Sequence, residues 1–340
     1  MIFFGCDIPN VAKGPRGRLA PSPTGYLHLG NAWAFLVAWL AARAIGGECV
    51  LRFEDIDPAR SRAEYADAVY KDLAWLGLDW DYGPSLSAVG EDVFWQSKRS
   101  ACYDAALRFL ESAGKVYPCY CTRKELRDIA GAPHVDDVGA PYPGICRNLG
   151  AAEKQRFEAT GRRHSQRLYC PDNTRWRFGD AFMGTQEMTL TDCGGDFALR
   201  RSDGVYAYQL AVVVDDIAMG VTHVVRGSDI LVSTPRQMYL YSLFGVEPPQ
   251  YAHLPLVTDN EGARLAKRHA SLTLRALRDA GVRPQTVLGW LAHASGLRKD
   301  FAPVSAETMV RDFSFASVTA QTLKLPPDPM DFFLTAQKSK

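Results

Sequence analysis

The chain is 340 residues long, 47% hydrophobic and 23% charged, with 39 basic and 38 acidic residues for a net charge of +1. That is ordinary globular composition, with enough length for two or three domains around a buried core. Charge alone makes no case for nucleic-acid binding, and no stretch approaches the roughly 20 apolar residues of a membrane span. The basic residues are mostly arginine, which suits bidentate phosphate contacts, although a GC-rich genome also writes arginine for lysine. Eight cysteines, three clustered and the rest scattered, suit a reducing compartment better than a disulfide framework. The opening MIFFGCDIPN has too short an apolar run for a signal peptide and no basic residue before it. The chain therefore reads as cytoplasmic, with no membrane partner.

The first ordered segment is GRLAPSPTGYLHLGN at 17–31. Arg18-Leu19-Ala20 reads as a short strand and the Pro/Gly stretch as a turn. NAWAFLVAWLAARAIGG then runs apolar as a helix and stops at Gly46-Gly47. CVLRFEDID is the next strand, which makes a βαβ unit and an α/β sheet. Residues 61–77 continue with helical periodicity. Residues 106–200 are irregular and rich in Gly, Pro, Arg and Cys, as an insertion inside a split sheet domain would be. A second α/β block occupies 205–257. There YAYQLAVVVDD reads as a buried strand and THVVRGSDI as another. STPRQMYLYSLFGV reads as a helix opening on Ser233-Thr234-Pro235, and HLPLVT as a further strand. LTLRALRDAGV and RPQTVLGWLAHASG read as helices, and the Pro-rich end near Pro326 to Pro329 as a loose tail.

The Pro/Gly turn falls at the end of a strand and the start of a helix. In open α/β sheets ligands bind there, and free N–H groups with the helix dipole favour anions. Gly25 and Gly30 let the backbone approach a ligand, Pro21 and Pro23 stiffen the turn, and His28 can donate to phosphate. Taken alone, such a turn is more often a plain connection. Glu54 with Asp55 and Asp57 equally reads as a helix cap, Arg226 as a surface charge, and Arg264 to Arg268 as an exposed basic loop. Cys119, Cys121 and Cys146 lie within 28 positions and can share one zinc, or stand as three unliganded thiols. Chemistry alone would choose His134, between the pairs, as the fourth ligand. Thr122 with Glu125 has the pattern of a capping box.

RLAPSPTGYLHLGN resembles the signature of class I aminoacyl-tRNA synthetases of the glutamyl subgroup. His28-Leu29-Gly30-Asn31 matches that family's His-Ile-Gly-His element, with Asn31 in place of the last histidine. LRFEDIDPARS, GDFALRRSDGVYAYQLAVVVDD and VTHVVRGSDIL resemble further segments of the same branch, so the likeness covers roughly residues 16–295. The family's second signature, Lys-Met-Ser-Lys-Ser, is matched by Arg264-Leu265-Ala266-Lys267-Arg268. Lys267 keeps a cation for the triphosphate, Arg264 can replace the first lysine, and Ala266 forgoes one hydroxyl contact.

The resemblance implies a Rossmann-like parallel sheet split by a zinc-containing insertion and followed by a small helical domain. The expected boundaries are 13–105 and 201–262 for the two catalytic halves and 106–200 for an acceptor-binding-like insertion. The signature loop and a helical stem-contact-like domain would follow at 263–325, then the tail at 326–340. It implies ATP-dependent activation of L-glutamate, with His28 and Lys267 as catalytic groups. Gly30, Asn31 and Arg264 would join them in binding ATP. Arg18 and Arg226 would hold carboxylate, Glu54 the ammonium, and Ala20, Ser22 and Tyr208 would complete the glutamate pocket. Mg²⁺ would accompany ATP, and one structural Zn²⁺ would be held by Cys119, Cys121, Tyr142 and Cys146.

Only 73 residues follow Lys267, too few for the large anticodon-binding region of a full glutamyl-tRNA synthetase. The likeness is therefore to the truncated glutamyl-queuosine branch. That branch implies activation without RNA, transfer of glutamate to queuosine in the anticodon loop of tRNA(Asp), and a monomer. The alternatives are a truncated synthetase charging the terminal ribose of tRNA, and a non-catalytic RNA-binding relic.

Overall fold

The computed structural model describes residues 14–84, 91–122, 124–126, 142–172, 174–259, 261–262, 272–319 and 321–338. Strands β1 (Arg16–Leu19) and β2 (Glu48–Leu51) pair in parallel, with Arg16 opposite Glu48 and Leu19 opposite Leu51. Helix α1 (Leu29–Ala44) connects them. It is apolar on nearly every side because it is covered on nearly every side: Trp33, Leu36, Val37 and Leu40 are buried. The helix stops where Gly46 takes a φ of 66°, a conformation that suits glycine. At Gly47 a Cβ would come within 2.8 Å of the Pro15 carbonyl oxygen.

On the other side of β1 lies β8 (His223–Gly227). The Thr222 N–H donates to the Arg16 carbonyl at 2.9 Å, and the Arg16 N–H to Thr222 Oγ1 at 2.7 Å. Strand β9 (Gln250–Leu254) pairs with β8 in parallel. Strand β5 (Arg175–Asp180) joins β9 at Asp180 opposite Tyr251, and β6 (Gly184–Thr189) follows antiparallel. Part of the 106–200 stretch thus extends the layer that it was expected to interrupt. The rest includes a separate antiparallel sheet, in the order β3 (Val116–Cys119), β4 (Ser165–Leu168), β7 (Phe197–Arg200).

Helices α2 (Ala63–Leu76) and α3 (Ser100–Ser112) serve the core, whereas α4 (Ala151–Ala159) buries none of its residues. Helix α5 (Tyr208–Ala218) corrects the sequence reading, which expected a strand over YAYQLAVVVDD. Val212, Val213 and Val214 are all buried, so no polar face marks the helical period, and a continuous apolar run does not distinguish helix from strand. Its two consecutive acids, Asp215 and Asp216, are also buried. On a helix they sit about 100° apart and can serve one cluster of cations. In a strand they would point to opposite faces.

Helix α6 (Thr234–Phe244) begins at the expected Pro235 position. The helices α7 (Leu274–Asp279), α8 (Pro284–Ala294) and α9 (Ala306–Val310) follow. The expected loose tail is instead ordered. Strand β11 (Leu323–Lys324) pairs in parallel with β10 (Val257–Thr258), and α10 (Pro329–Ala336) buries Phe333 completely. The Phe333 ring meets Trp290 of α8 edge-on at 5.8 Å. Two apolar anchors, Leu325 and Phe333, outweigh the breaking effect of the prolines.

Among the described residues no helix is long and apolar enough to cross a membrane. Among the described residues six cysteines are free thiols, and Cys102 is disulfide-bonded.

Candidate active site

The turn after β1 delivers His28 to the N-cap of α1. Its backbone is extended, and Nδ1 accepts the Gly30 N–H at 3.1 Å. A neutral ring that accepts at Nδ1 carries its proton on Nε2, so His28 is set as a donor. Asn31 completes a capping box, its Oδ1 accepting the His28 N–H at 3.0 Å. The asparagine that replaces the family's last histidine therefore holds the first histidine's backbone. A Cβ at Gly30 would come 3.0 Å from His28 Cε1, so glycine is what allows the imidazole to lie over the helix start.

A cavity of about 320 Å³ opens above this turn. His28 and Asn31 line its helix side, with Ala20 and Ser22 from the turn. Arg18, Glu54, Tyr208 and Arg226 also line it, brought from β1, the segment after β2, the start of α5 and β8. Of the described candidates for ATP and glutamate binding, only Gly30 does not line the cavity, acting through His28. Arg264 and Lys267 lie outside the described residues.

A buried charge network carries the cavity. Arg52 is fully buried; its NH1 donates to Asp216 Oδ1 at 2.6 Å and its NH2 to Glu54 Oε1 at 3.0 Å. Arg18 donates from NH1 to the Val225 carbonyl at 3.1 Å and stands 3.9 Å from Asp216. Asp215 accepts from Arg99, Gln96 and Tyr103 at 2.6 to 2.9 Å. Burial pushes the Glu54 pKa up, against the pull of Arg52 and Arg18. The two arginines leave this carboxylate short of positive charge, and a ligand ammonium in the cavity would supply it. Burial also pushes up the Tyr208 hydroxyl, with Glu54 adding to it, so Tyr208 stays a neutral donor.

Arg226 is held at all three nitrogens. Nε donates to His253 Nε2 at 2.9 Å, NH1 to Gln237 Oε1 at 2.7 Å and NH2 to Thr234 Oγ1 at 2.8 Å. Its guanidinium also lies 5.2 Å from the Tyr251 ring centroid. One carboxylate and two guanidinium groups lining one cavity fit an amino acid with two acidic groups and one amine.

Sequence reading missed Arg52, Asp215, Asp216, Gln237 and His253. One signal was available: Arg52 and Glu54 are two apart in an extended segment and therefore share a face. Asp215 and Asp216 depend on contacts with segments more than a hundred residues away, such as Arg52 with Asp216, and Gln237 and His253 on a buried contact with Arg226, 11 and 27 positions away, that no local pattern marks.

Cys119, Cys121 and Cys146 form a second cluster, their sulfur atoms all within 4.8 Å of one another. The Tyr142 hydroxyl joins it, accepting the Cys146 N–H at 2.8 Å and lying 3.3 Å from Cys119 Sγ. Three thiols at this range could share one metal ion, and thiolates are zinc ligands, with the Tyr142 hydroxyl beside them. Burial and the neighbouring sulfurs push the Cys121 thiol up to about 12, a cost that a cation would relieve. His134 lies outside the described residues. Close by, Thr122 and Glu125 make the reciprocal bonds of a capping box, at 2.6 and 3.2 Å.

Residues 16–317 match the family "tRNA synthetases class I (E and Q), catalytic domain". A relative in Nitratidesulfovibrio vulgaris named glutamyl-Q tRNA(Asp) synthetase is 57% identical, over 93% of this chain and 97% of its own. A protein of the same name in Symbiobacterium thermophilum is 48% identical, over 92% and 96%. A glutamate–tRNA ligase 2 of Alkalilimnicola ehrlichii is 43% identical, over 81% of this chain and 57% of its own. Among solved structures, a glutamate tRNA ligase from Elizabethkingia meningosepticum in complex with its amino acid superposes with a TM-score of 0.79 at 26% identity, covering 94% of this chain and 68% of that one. The chain belongs to the class I tRNA synthetases of the glutamate and glutamine group, a family of ligases, and within it stands with relatives named glutamyl-Q tRNA(Asp) synthetase.

Proposed function

We propose that this chain activates L-glutamate with ATP, without needing RNA, and transfers it to the queuosine base in the anticodon loop of tRNA(Asp). The supporting observation is the convergence of Arg18, Glu54 and Arg226 on one cavity beside the His28 N-cap, in a chain 57% identical to a glutamyl-Q tRNA(Asp) synthetase over nearly that protein's whole length. The lower identity to a glutamate–tRNA ligase, over a smaller share of each chain, favours the queuosine acceptor over the terminal ribose.

In this reading Glu54 takes the substrate ammonium, Arg18 and Arg226 its carboxylates, and Ser22 and Tyr208 add hydrogen bonds. Ala20 keeps that wall of the pocket small. The substrate's α-carboxylate oxygen attacks the α-phosphorus of ATP and the bond to pyrophosphate breaks. The protein contributes position and charge stabilisation rather than a covalent intermediate. His28 donates from Nε2 to phosphate, with Gly30 and Asn31 fixing its ring and backbone. Arg264 and Lys267 meet the triphosphate, and Mg²⁺ comes with ATP, bound mainly by phosphates and water.

Cys119, Cys121, Tyr142 and Cys146 would hold one Zn²⁺, which knits the segment that follows β3. The 106–200 stretch is assigned to RNA contact and the helices after the signature loop to support of that contact. An unpaired anticodon base suits such a pocket, because single-stranded loops present splayed bases. The enzyme is proposed to act as a cytoplasmic monomer. Glutamate-dependent exchange of pyrophosphate into ATP, measured with no RNA present, tests the first half. Exchange with glutamate is expected, and exchange only with another amino acid or none at all would overturn the reading.

A further inference from the structure

Of the two described arginines that line the cavity, Arg226 is the one that hydrogen-bonds to side chains, and behind it stands a pair that the proposed reaction does not use. His253 on β9 is completely buried. Its Nε2 accepts from Arg226 Nε at 2.9 Å, and its Nδ1 lies 2.6 Å from Asp180 Oδ2. The other Asp180 oxygen, Oδ1, is already committed, accepting the backbone N–H groups of Phe182, Met183 and His253 at 2.7 to 3.1 Å. We infer that Asp180 and His253 are positioning residues for substrate binding: Asp180 fixes the proton on His253 Nδ1, and the bare Nε2 then aims Arg226 into the cavity. This inference rests on the proposed role of Arg226 in holding a substrate carboxylate.

The direction of each bond follows from the donor inventory. Arginine has only donors, so the nitrogen that meets Arg226 Nε must be unprotonated. A neutral imidazole then has its proton on Nδ1, facing a carboxylate that can only accept. The groups around the ring agree. Arg226 from β8 and Arg18 from β1 disfavour a second proton, while Asp180 from β5 favours one. Thr234 of α6 lies 3.2 Å from Nε2, and Tyr251 stacks alongside at 6.0 Å. Burial dominates and holds His253 down at about 4, so it is neutral in ordinary buffers. With three of its five N–H groups held by His253, Gln237 and Thr234, Arg226 keeps two for the cavity.

Asp180→Asn is the informative variant. Three backbone donors keep an oxygen at the Oδ1 position, so the new amide nitrogen must occupy the Oδ2 position and donate to His253 Nδ1. The imidazole proton then moves to Nε2 and confronts the Arg226 Nε–H, donor against donor. The expected result is a KM for glutamate raised on the order of 10- to 100-fold, with a smaller change in kcat. His253→Ala should do the same, and His253→Gln, whose amide oxygen can stand near the Nε2 position, should restore much of the loss. NMR of labelled imidazole nitrogens reports the tautomer independently of activity: an unprotonated Nε2 is expected in the wild type and a protonated one in Asp180→Asn. An unprotonated Nδ1 in the wild type would overturn the inference. So would an unchanged glutamate KM in both Asp180→Asn and His253→Ala. Failure of the wild type to exchange pyrophosphate with glutamate would strike the proposed reaction instead, and the tautomer measurement would still decide the fixed proton.

Discussion

Replacing Glu54 with glutamine removes one negative charge from the cavity and keeps the side chain's size. Arg52 loses the ionic character of its 3.0 Å bond to Glu54 but keeps its 2.6 Å bond to Asp216, so the network below the cavity survives. A hydrogen bond between charged groups contributes about 1.5–3 kcal/mol. With tenfold in affinity for every 1.4 kcal/mol, the KM for glutamate should rise roughly 10- to 100-fold. The ammonium is held in ground and transition states alike, so kcat should change much less.

Stability should move the other way. Burial raises the Glu54 pKa above its unfolded value, so the ionised carboxylate costs stability at neutral pH. That cost disappears as pH falls through the folded pKa. The glutamine variant should therefore melt no lower than the wild type at neutral pH. Wild-type glutamate KM should rise as acid protonates Glu54, while the variant's KM stays flat over the same range. Pyrophosphate exchange at varied glutamate, with no RNA, measures the first effect and thermal unfolding the second. An unchanged glutamate KM would refute the assignment of Glu54 to the ammonium.

Three other outcomes follow from the same geometry. His28→Asn can still cap the Gly30 N–H but has no donor at the Nε2 position; it should melt close to wild type while exchange falls ~10²–10³-fold, and full activity would remove His28 from the phosphate site. Elemental analysis of the purified protein should find one zinc per chain, lost in Cys146→Ser; a zinc-free wild type would reject the cysteine and tyrosine site. Phe333→Ala should destabilise the fold by about 3–5 kcal/mol, because the ring is wholly buried against Trp290; no change on denaturant unfolding would return the C-terminal stretch to a loose tail.

What could be read in the sequence was local. The turn from Leu19 to His28 is written in Pro and Gly ahead of a long apolar helix, all short-range signals, and the structure builds a cavity over it. The close spacing of Cys119 and Cys121 likewise announced a cluster. Helix α5 was misread because its apolar run has no exposed face, so the period that separates helix from strand is absent. The tail was misread because prolines at 326, 327 and 329 argue against regular structure more loudly than one buried phenylalanine argues for it. The support beneath the site was illegible for a different reason. Arg52 with Asp216, and Asp180 with His253, are partners 164 and 73 positions apart. A charged residue in one sequence looks exposed until the fold reveals its counterion.

The acceptor is decided by one measurement. Labelled glutamate, ATP and the protein are incubated with tRNA(Asp) that carries queuosine, and the product is digested to nucleosides. The label should be found on the queuosine nucleoside, and it should be absent when the same tRNA lacks that modification. Label on the terminal adenosine, or transfer to unmodified tRNA(Glu), would contradict the proposed function.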